Sequence, residues 1–115
     1  MMKSKYYTVK FRFWIDSDDG PFLGSGRIQL LENIKKTGSI TNASKLMGMS
    51  YRNAWELVNS INSKSNKPLV TKIIGGKNGS GAILTDEGEV MIKKFYEIQN
   101  DIINYINFKY NHLKL

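Results

Sequence analysis

Two short segments of helical character, separated only by Gly48-Met49-Ser50, constrain the fold more than any other feature of the sequence. The first has apolar residues at helical spacing and stops at the glycine. The second is predicted to span Tyr51–Ser63, because Ser50 can accept a hydrogen bond from a free amide in its first turn. Two helices joined by a tight, glycine-containing turn form a helix-turn-helix unit, here over about residues 41–63.

A strand and a helix are predicted ahead of this unit. Residues 6–15 alternate between two faces with period 2, and such alternation of aromatic and β-branched residues is typical of a strand with one buried face. Residues 16–26 contain Gly-Pro and Gly-Ser-Gly and are predicted to be a loop. Helical spacing begins at Arg27 and ends at Gly38. The predicted buried face of the strand comprises Tyr7, Val9, Phe11, Phe13 and Ile15.

A glycine-rich run separates two short extended segments after the helix-turn-helix unit. Residues 69–74 are rich in Leu, Val, Thr and Ile, and residues 82–84 continue the apolar pattern. Residues 75–81, Gly-Gly-Lys-Asn-Gly-Ser-Gly, do not suit the interior of a helix or strand, because glycine loses most conformational entropy there. They also lack the Gly-Lys-Ser/Thr of a nucleotide-binding loop. We therefore predict a hairpin over about residues 69–84. By itself it is a flexible hairpin; next to a helix-turn-helix unit, a DNA-contacting wing is favoured.

A long helix is predicted at the end of the sequence, over about residues 86–110. Thr85 can cap it, and acidic side chains in its first turn suit the helix dipole. Such a helix is about 38 Å long and has two adjacent apolar stripes, more than a small domain covers. We expect the surplus to pack against a second copy; the alternative is a helix folded onto its own domain. The residues predicted to form the dimer interface are Met91, Phe95, Ile98, Ile102 and Tyr105.

The order of these elements is that of a winged helix-turn-helix domain with an N-terminal strand and a long C-terminal dimerisation helix. The 115 residues suffice for one domain with a hydrophobic core and are too few for two. No repeat or linker divides them. We therefore predict a single α+β domain over residues 1–115.

Positive charge is concentrated in two parts of the sequence. The net charge is +7, to which residues 1–14 contribute +4 and residues 38–84 contribute +5. Within residues 38–84, Glu56 is the one acidic residue beside six basic residues. This distribution is compatible with a polyanionic partner. The alternative is a lysine-rich surface that binds no polyanion.

Composition excludes most kinds of catalytic and metal site. There is no cysteine and a single histidine, His112, so thiolate metal sites and paired histidines are excluded. We identify no Ser/His/Asp set and expect neither an enzyme nor a cofactor, and no small-molecule effector site is evident. No apolar run approaches the roughly 18 residues that span a bilayer, and no signal peptide is recognised. We therefore expect a cytoplasmic protein without a membrane partner.

The start of the second helix of the helix-turn-helix unit contains the candidate base-contacting residues. In such units this helix lies in the major groove, and its N-terminal residues reach base edges. Arg52 can bond guanine bidentately and Asn53 can bond adenine, whereas the hydroxyls of Ser50 and Tyr51 suit phosphate contacts. The alternative is an ordinary solvated helix face. We expect Trp55 to belong to the core rather than to contact DNA.

Two residues of the glycine-rich run, Lys77 and Asn78, are the candidate DNA contacts of the wing. The bare glycine amides and the Lys77 ammonium would lie against phosphates or reach into the minor groove.

Three stretches of the sequence are ordered and spaced as in a known family. They are GSGRIQLLENI from Gly24, TGSITNASKLMGMSYRNAWELV from Thr37 and GGKNGSGAILTDEG from Gly75. Together they resemble the N-terminal domain of ModE-type molybdate-responsive transcriptional regulators, over about residues 20–100. The resemblance implies a dimeric winged helix on a palindromic operator in double-stranded DNA, with the dimer made largely by the terminal helices. The residues that it implies to be near DNA are Ser50, Tyr51, Arg52 and Lys77.

Two departures limit what the resemblance implies. Asn78 and Ser80 stand where the family usually has glycine, which leaves the backbone path of the wing open. The full-length regulators bind molybdate in a C-terminal domain, and this sequence ends at Leu115 without one. We therefore do not expect these residues to bind molybdate directly.

The sequence predicts a sequence-specific, DNA-binding transcriptional regulator that acts as a homodimer. The alternative is a protein-interaction module whose C-terminal helix docks onto another chain, since fold alone does not fix function. An RNA-binding role is less favoured, because no aromatic stacking surface for single strands is evident.

Overall fold

The computed structural model describes residues 5–73 and 81–115. Its elements in chain order are β1 (Trp14–Ser17), β2 (Gly20–Gly24), α1 (Ser25–Thr37), α2 (Ile40–Leu46), α3 (Tyr51–Ser63), β3 (Val70–Ile73), β4 (Gly81–Leu84) and α4 (Asp86–Tyr110). Strands β1 and β2 pair antiparallel as the first hairpin, and β3 and β4 as the second hairpin. This α+β order agrees with the winged helix predicted from the sequence.

Helices α1, α2 and α3 form the centre of the hydrophobic core. Helix α2 ends at Leu46, and Gly48 then turns the chain with a φ of 64°, a backbone conformation that glycine adopts without strain. Helix α3 has the bounds that its cap residue predicts. The buried side chains that these three helices contribute are Ile28, Leu30, Leu31, Ile34, Ile40, Ala43, Ala54, Val58 and Ile61.

The N-terminal strand is much shorter than predicted. Only residues 14–17 form a strand, because β2 ends at Gly24 where the chain enters α1. Within the described residues, no strand lies opposite residues 6–13, and Tyr7 forms only an isolated bridge with Leu113. Tyr7 and Val9, assigned to the buried face, are 45% and 38% exposed, whereas Phe13 and Ile15 pack against the core. The expected loop over residues 16–26 contains β2, whose Pro21 is tolerated in a two-stranded hairpin.

The second hairpin follows α3 in the chain, and its strand β4 contacts the end of α1. Its register pairs Val70 with Leu84 and Ile73 with Gly81, and the Ala82 amide donates to the Gly38 carbonyl oxygen at 2.9 Å. Residues 74–80, which include the predicted wing contacts Lys77 and Asn78, lie outside the described residues.

Helix α4 begins against the second hairpin and then leaves the core. The Thr85 hydroxyl accepts the Gly88 amide at 3.0 Å and donates to the Pro68 carbonyl oxygen at 2.7 Å. Of the 25 residues of α4, only Gly88 and Phe95 are buried. A Cβ atom at Gly88 would lie 2.6 Å from the Leu69 carbonyl oxygen, so glycine permits this close approach.

The segment before β1 lies along α4. Phe13 stacks on Phe95 with ring centroids 4.7 Å apart, and the Tyr7 amide donates to the Leu113 carbonyl oxygen at 2.9 Å. Phe95 is therefore only 1% exposed within its own chain. Of the five residues predicted for the dimer interface, Phe95 belongs to the core instead, because the N-terminal segment covers it.

Candidate nucleic-acid interface

The first turn of α3 presents a cap and three exposed side chains. The Ser50 hydroxyl accepts the Asn53 amide at 3.1 Å, which leaves its own hydrogen free to donate. Tyr51 is 44% exposed, and Arg52 and Asn53 are exposed beside it. The four residues singled out from the sequence are thus neighbours at one end of one helix. Their donors and acceptors are of the kinds that contact phosphates and base edges.

The opposite side of α3 fixes which face is outward. Ala54, Val58 and Ile61 are buried, at the spacing of three to four residues that defines one helix face. The remaining face holds Arg52 and Glu56. Because packing of the buried face against the core fixes the rotation of α3 about its axis, Arg52 and Glu56 are held on the outward face.

Arg52 and Glu56 form an ion pair one turn apart on that outward face. The Arg52 Nε atom donates to Glu56 Oε1 at 3.2 Å, and the side chains are 86% and 61% exposed. The N–H groups on the two terminal nitrogens of the guanidinium do not take part in this bond. They can still form a bidentate contact with an acceptor pair such as guanine O6 and N7.

Lys72 of β3 adds a cation beside α3. Its Nζ atom lies 3.6 Å from the centroid of the Trp55 ring. Trp55 is half-buried and packs against the core, in line with the expectation for it. A protonated amine over an indole face is held by the ring quadrupole. From the sequence, Lys72 is only one of the six basic residues of residues 38–84, since its contact with Trp55 joins elements far apart in sequence.

Asn62 connects the end of α3 to the second hairpin. Its Oδ1 atom accepts the amides of Leu69 and Val70 at 2.9 and 3.2 Å, and its Nδ2 atom donates to the Val70 carbonyl oxygen at 2.9 Å. These bonds set where β3 starts relative to α3. No local pattern indicates this role, because the partners of Asn62 lie seven and eight residues further along the chain.

Arg27 connects α3 to the first hairpin. Its Nη1 atom donates to the Pro21 carbonyl oxygen at 3.0 Å and to the Ser60 hydroxyl at 3.1 Å. The guanidinium is therefore engaged within the fold. Arg27 therefore helps to position α3 against the first hairpin, and we do not count it among the candidate DNA-contacting cations.

Other charged groups lie between α1 and α4. Lys35 and Glu89 form an ion pair at 2.7 Å, and the Tyr96 hydroxyl donates to Glu32 at 2.7 Å. This hydrogen bond to a carboxylate raises the pKa of Tyr96 above its usual value, because it favours the protonated phenol. These contacts join the two helices and lie on elements other than α3 and the second hairpin.

Two negative observations apply to residues 5–73 and 81–115. None of their helices combines the length and apolarity that crossing a membrane requires. None of their His, Asp and Glu side chains form a group of three that could hold a metal ion.

Comparison with known proteins confirms the resemblance stated from the sequence. The chain is 36% identical over 88 residues to the molybdenum transport protein ModE of Azotobacter vinelandii, a match that covers 76% of this chain and 33% of that protein. It is 45% identical over 74 residues to the transcriptional regulator ModE of Yersinia pestis, covering 64% and 28%. It is 40% identical over 74 residues to the DNA-binding transcriptional dual regulator ModE of Escherichia coli (strain K12), with the same coverage. The match spans about a third of the length of these curated relatives, and no family model matches the chain.

Proposed function

We propose, from its similarity to part of the ModE-type regulators, that this chain is a sequence-specific DNA-binding module of a transcriptional regulator. One observation supports this function above the others. Ser50 caps the first turn of α3, and the buried face of the helix fixes its orientation against the core. Tyr51, Arg52 and Asn53 are exposed in this turn.

In the proposed complex, α3 enters the major groove with its N-terminal end toward the bases. Arg52 bonds a guanine through its free terminal N–H groups, and Asn53 bonds an adenine. The Ser50 and Tyr51 hydroxyls bond phosphates and fix the position of the helix without determining sequence.

Electrostatic attraction brings the two molecules together. Residues 38–84 have a charge of +5, and phosphate neutralisation by lysine and arginine releases counterions. Lys77 and Asn78 of the glycine-rich run are proposed as wing contacts on the basis of sequence alone.

A homodimer is proposed because α4 exposes apolar side chains beyond the core. Tyr105 is 59% exposed and Phe108 is 88% exposed, while Ile98 and Ile102 are half-buried. A second copy related by two-fold symmetry would cover this surface and place two α3 helices on an inverted repeat.

The same exposed surface of α4 supports a second candidate function. A different protein could cover it, in which case the chain is an interaction module with an incidental basic face. Exposure of Phe108 and Tyr105 favours an apolar partner of this kind.

The salt dependence of binding separates the two functions. DNA binding through phosphate contacts predicts that log K falls linearly with log [salt], with a slope that grows with the number of phosphates neutralised. We expect a steep slope on duplex DNA, measured by fluorescence anisotropy. Absence of duplex binding at low salt would reject the DNA-binding function and favour the interaction module.

A further inference from the structure

We propose that Glu56 determines sequence selectivity by keeping Arg52 from binding phosphates indiscriminately. This inference rests on the proposed function of α3. It is based on the ion pair of Arg52 and Glu56 on the outward face of α3, in which Arg52 Nε lies 3.2 Å from Glu56 Oε1.

The position of this acidic residue is unfavourable for simple attraction to DNA. Glu56 is the one acidic residue of residues 38–84, and it lies on the recognition helix itself, one turn after Arg52. A carboxylate there faces the negative charge of any duplex. Its presence lowers affinity for every sequence unless another effect compensates.

Stability does not account for the pair. Both side chains are mostly exposed, at 86% and 61%, and an exposed ion pair at this spacing contributes little to folding. Selectivity offers a better explanation, because specificity is a difference between two affinities and can arise by weakening the wrong complex.

The geometry shows how the pair would act. With Nε bound to Glu56, the guanidinium is restrained along the helix and can offer its terminal N–H groups as a fork. Because a phosphate also offers two oxygens to this fork, the discrimination comes from the direction that the ion pair favours, toward the base edges of the groove and away from the phosphates. Without Glu56, Arg52 would be free to turn to the nearest phosphate of any duplex.

The test compares Glu56→Gln with Glu97→Gln. The control residue Glu97 pairs with Lys94 of α4 at 3.8 Å in a similarly exposed pair, at spacing i,i+3, outside residues 38–84. The binding constant of each protein is measured on the duplex that the wild-type protein selects from a random library, and on a scrambled duplex of equal length. We expect Glu56→Gln to bind the scrambled duplex more tightly and to lose about twofold in the ratio of the two constants, which is the effect that an exposed ion pair at this spacing can have. We expect Glu97→Gln to change neither.

A second measurement separates positioning from a simple change of charge. In an Arg52→Ala background, Glu56→Gln should no longer alter the ratio, because the residue acts through Arg52. An unchanged ratio for Glu56→Gln in the wild-type background, or an equal change in both backgrounds, would overturn the proposal. Wild-type protein is measured first: if it prefers no duplex, the proposed function and this inference both fail, whereas a failure of the Glu56 variants alone leaves the proposed function intact.

Discussion

The ammonium of Lys72 lies 3.6 Å from the centre of the Trp55 ring, and this contact joins the second hairpin to the half-buried edge of α3. Residues three or four apart are neighbours on a helix surface, so Trp55 is next to Arg52. The lysine of β3 therefore lies over a side chain that is about one helical turn from Arg52.

Replacing Lys72 by alanine should weaken binding to all duplexes by a similar factor. Because the residue would contact phosphate rather than bases, the slope of log K against log [salt] should become shallower by about 1. The control is Lys114→Ala, since Lys114 lies 5.2 Å from the Tyr6 ring, outside residues 38–84. Equal slopes for wild type and Lys72→Ala would exclude a phosphate contact.

Replacing Arg52 by alanine should have a different signature. We expect a loss of about 1–3 kcal/mol on the selected duplex and a relaxed base preference at one position. Because the side chain is 86% exposed, thermal unfolding should change little. Binding titrations on duplexes with single base changes measure the preference. A loss that is uniform over all duplexes would show that Arg52 contacts only phosphate.

Replacing two helical glycines by alanine should change stability in opposite directions. Gly88→Ala places a Cβ atom 2.6 Å from the Leu69 carbonyl oxygen and should destabilise the fold by about 1–3 kcal/mol. Gly26→Ala in α1 meets nothing within 4 Å and should stabilise the fold by up to about 1 kcal/mol. Urea unfolding measures both. A Gly88→Ala protein as stable as wild type would contradict the close packing of α4 on the second hairpin.

Replacing Tyr105 by glutamate should dissociate the proposed dimer. Tyr105 is 59% exposed within the chain, so the fold should persist while an apolar contact becomes charged. Loss of an interface aromatic typically weakens association by about tenfold or more. The control Asn107→Glu adds the same charge two residues further along α4, about 200° around the helix. Sedimentation velocity measures both, and equal association of the two variants would place the interface elsewhere.

Features set by neighbouring residues could be predicted from the sequence. The bounds of α3 follow from Ser50 and from the spacing of Ala54, Val58 and Ile61, which act within one helix. The cap of α4 by Thr85 is equally local.

Features that join distant parts of the chain could not be predicted in this way. Alternation over residues 6–15 indicated a strand, but pairing depends on where β2 ends, and the segment follows α4 instead. For the same reason Phe95 had the spacing of an interface residue while Phe13 covers it. The contacts of Lys72 and Asn62 likewise require the position of β3 beside α3.

Selection from a random duplex library with purified protein, at about 150 mM salt, tests sequence-specific binding most directly. We expect enrichment of an inverted repeat, with half-sites about one helical turn or a multiple of it apart, as for a two-fold symmetric pair of α3 helices. Recovery of unenriched sequences, with only weak and salt-sensitive binding, would contradict the proposed function.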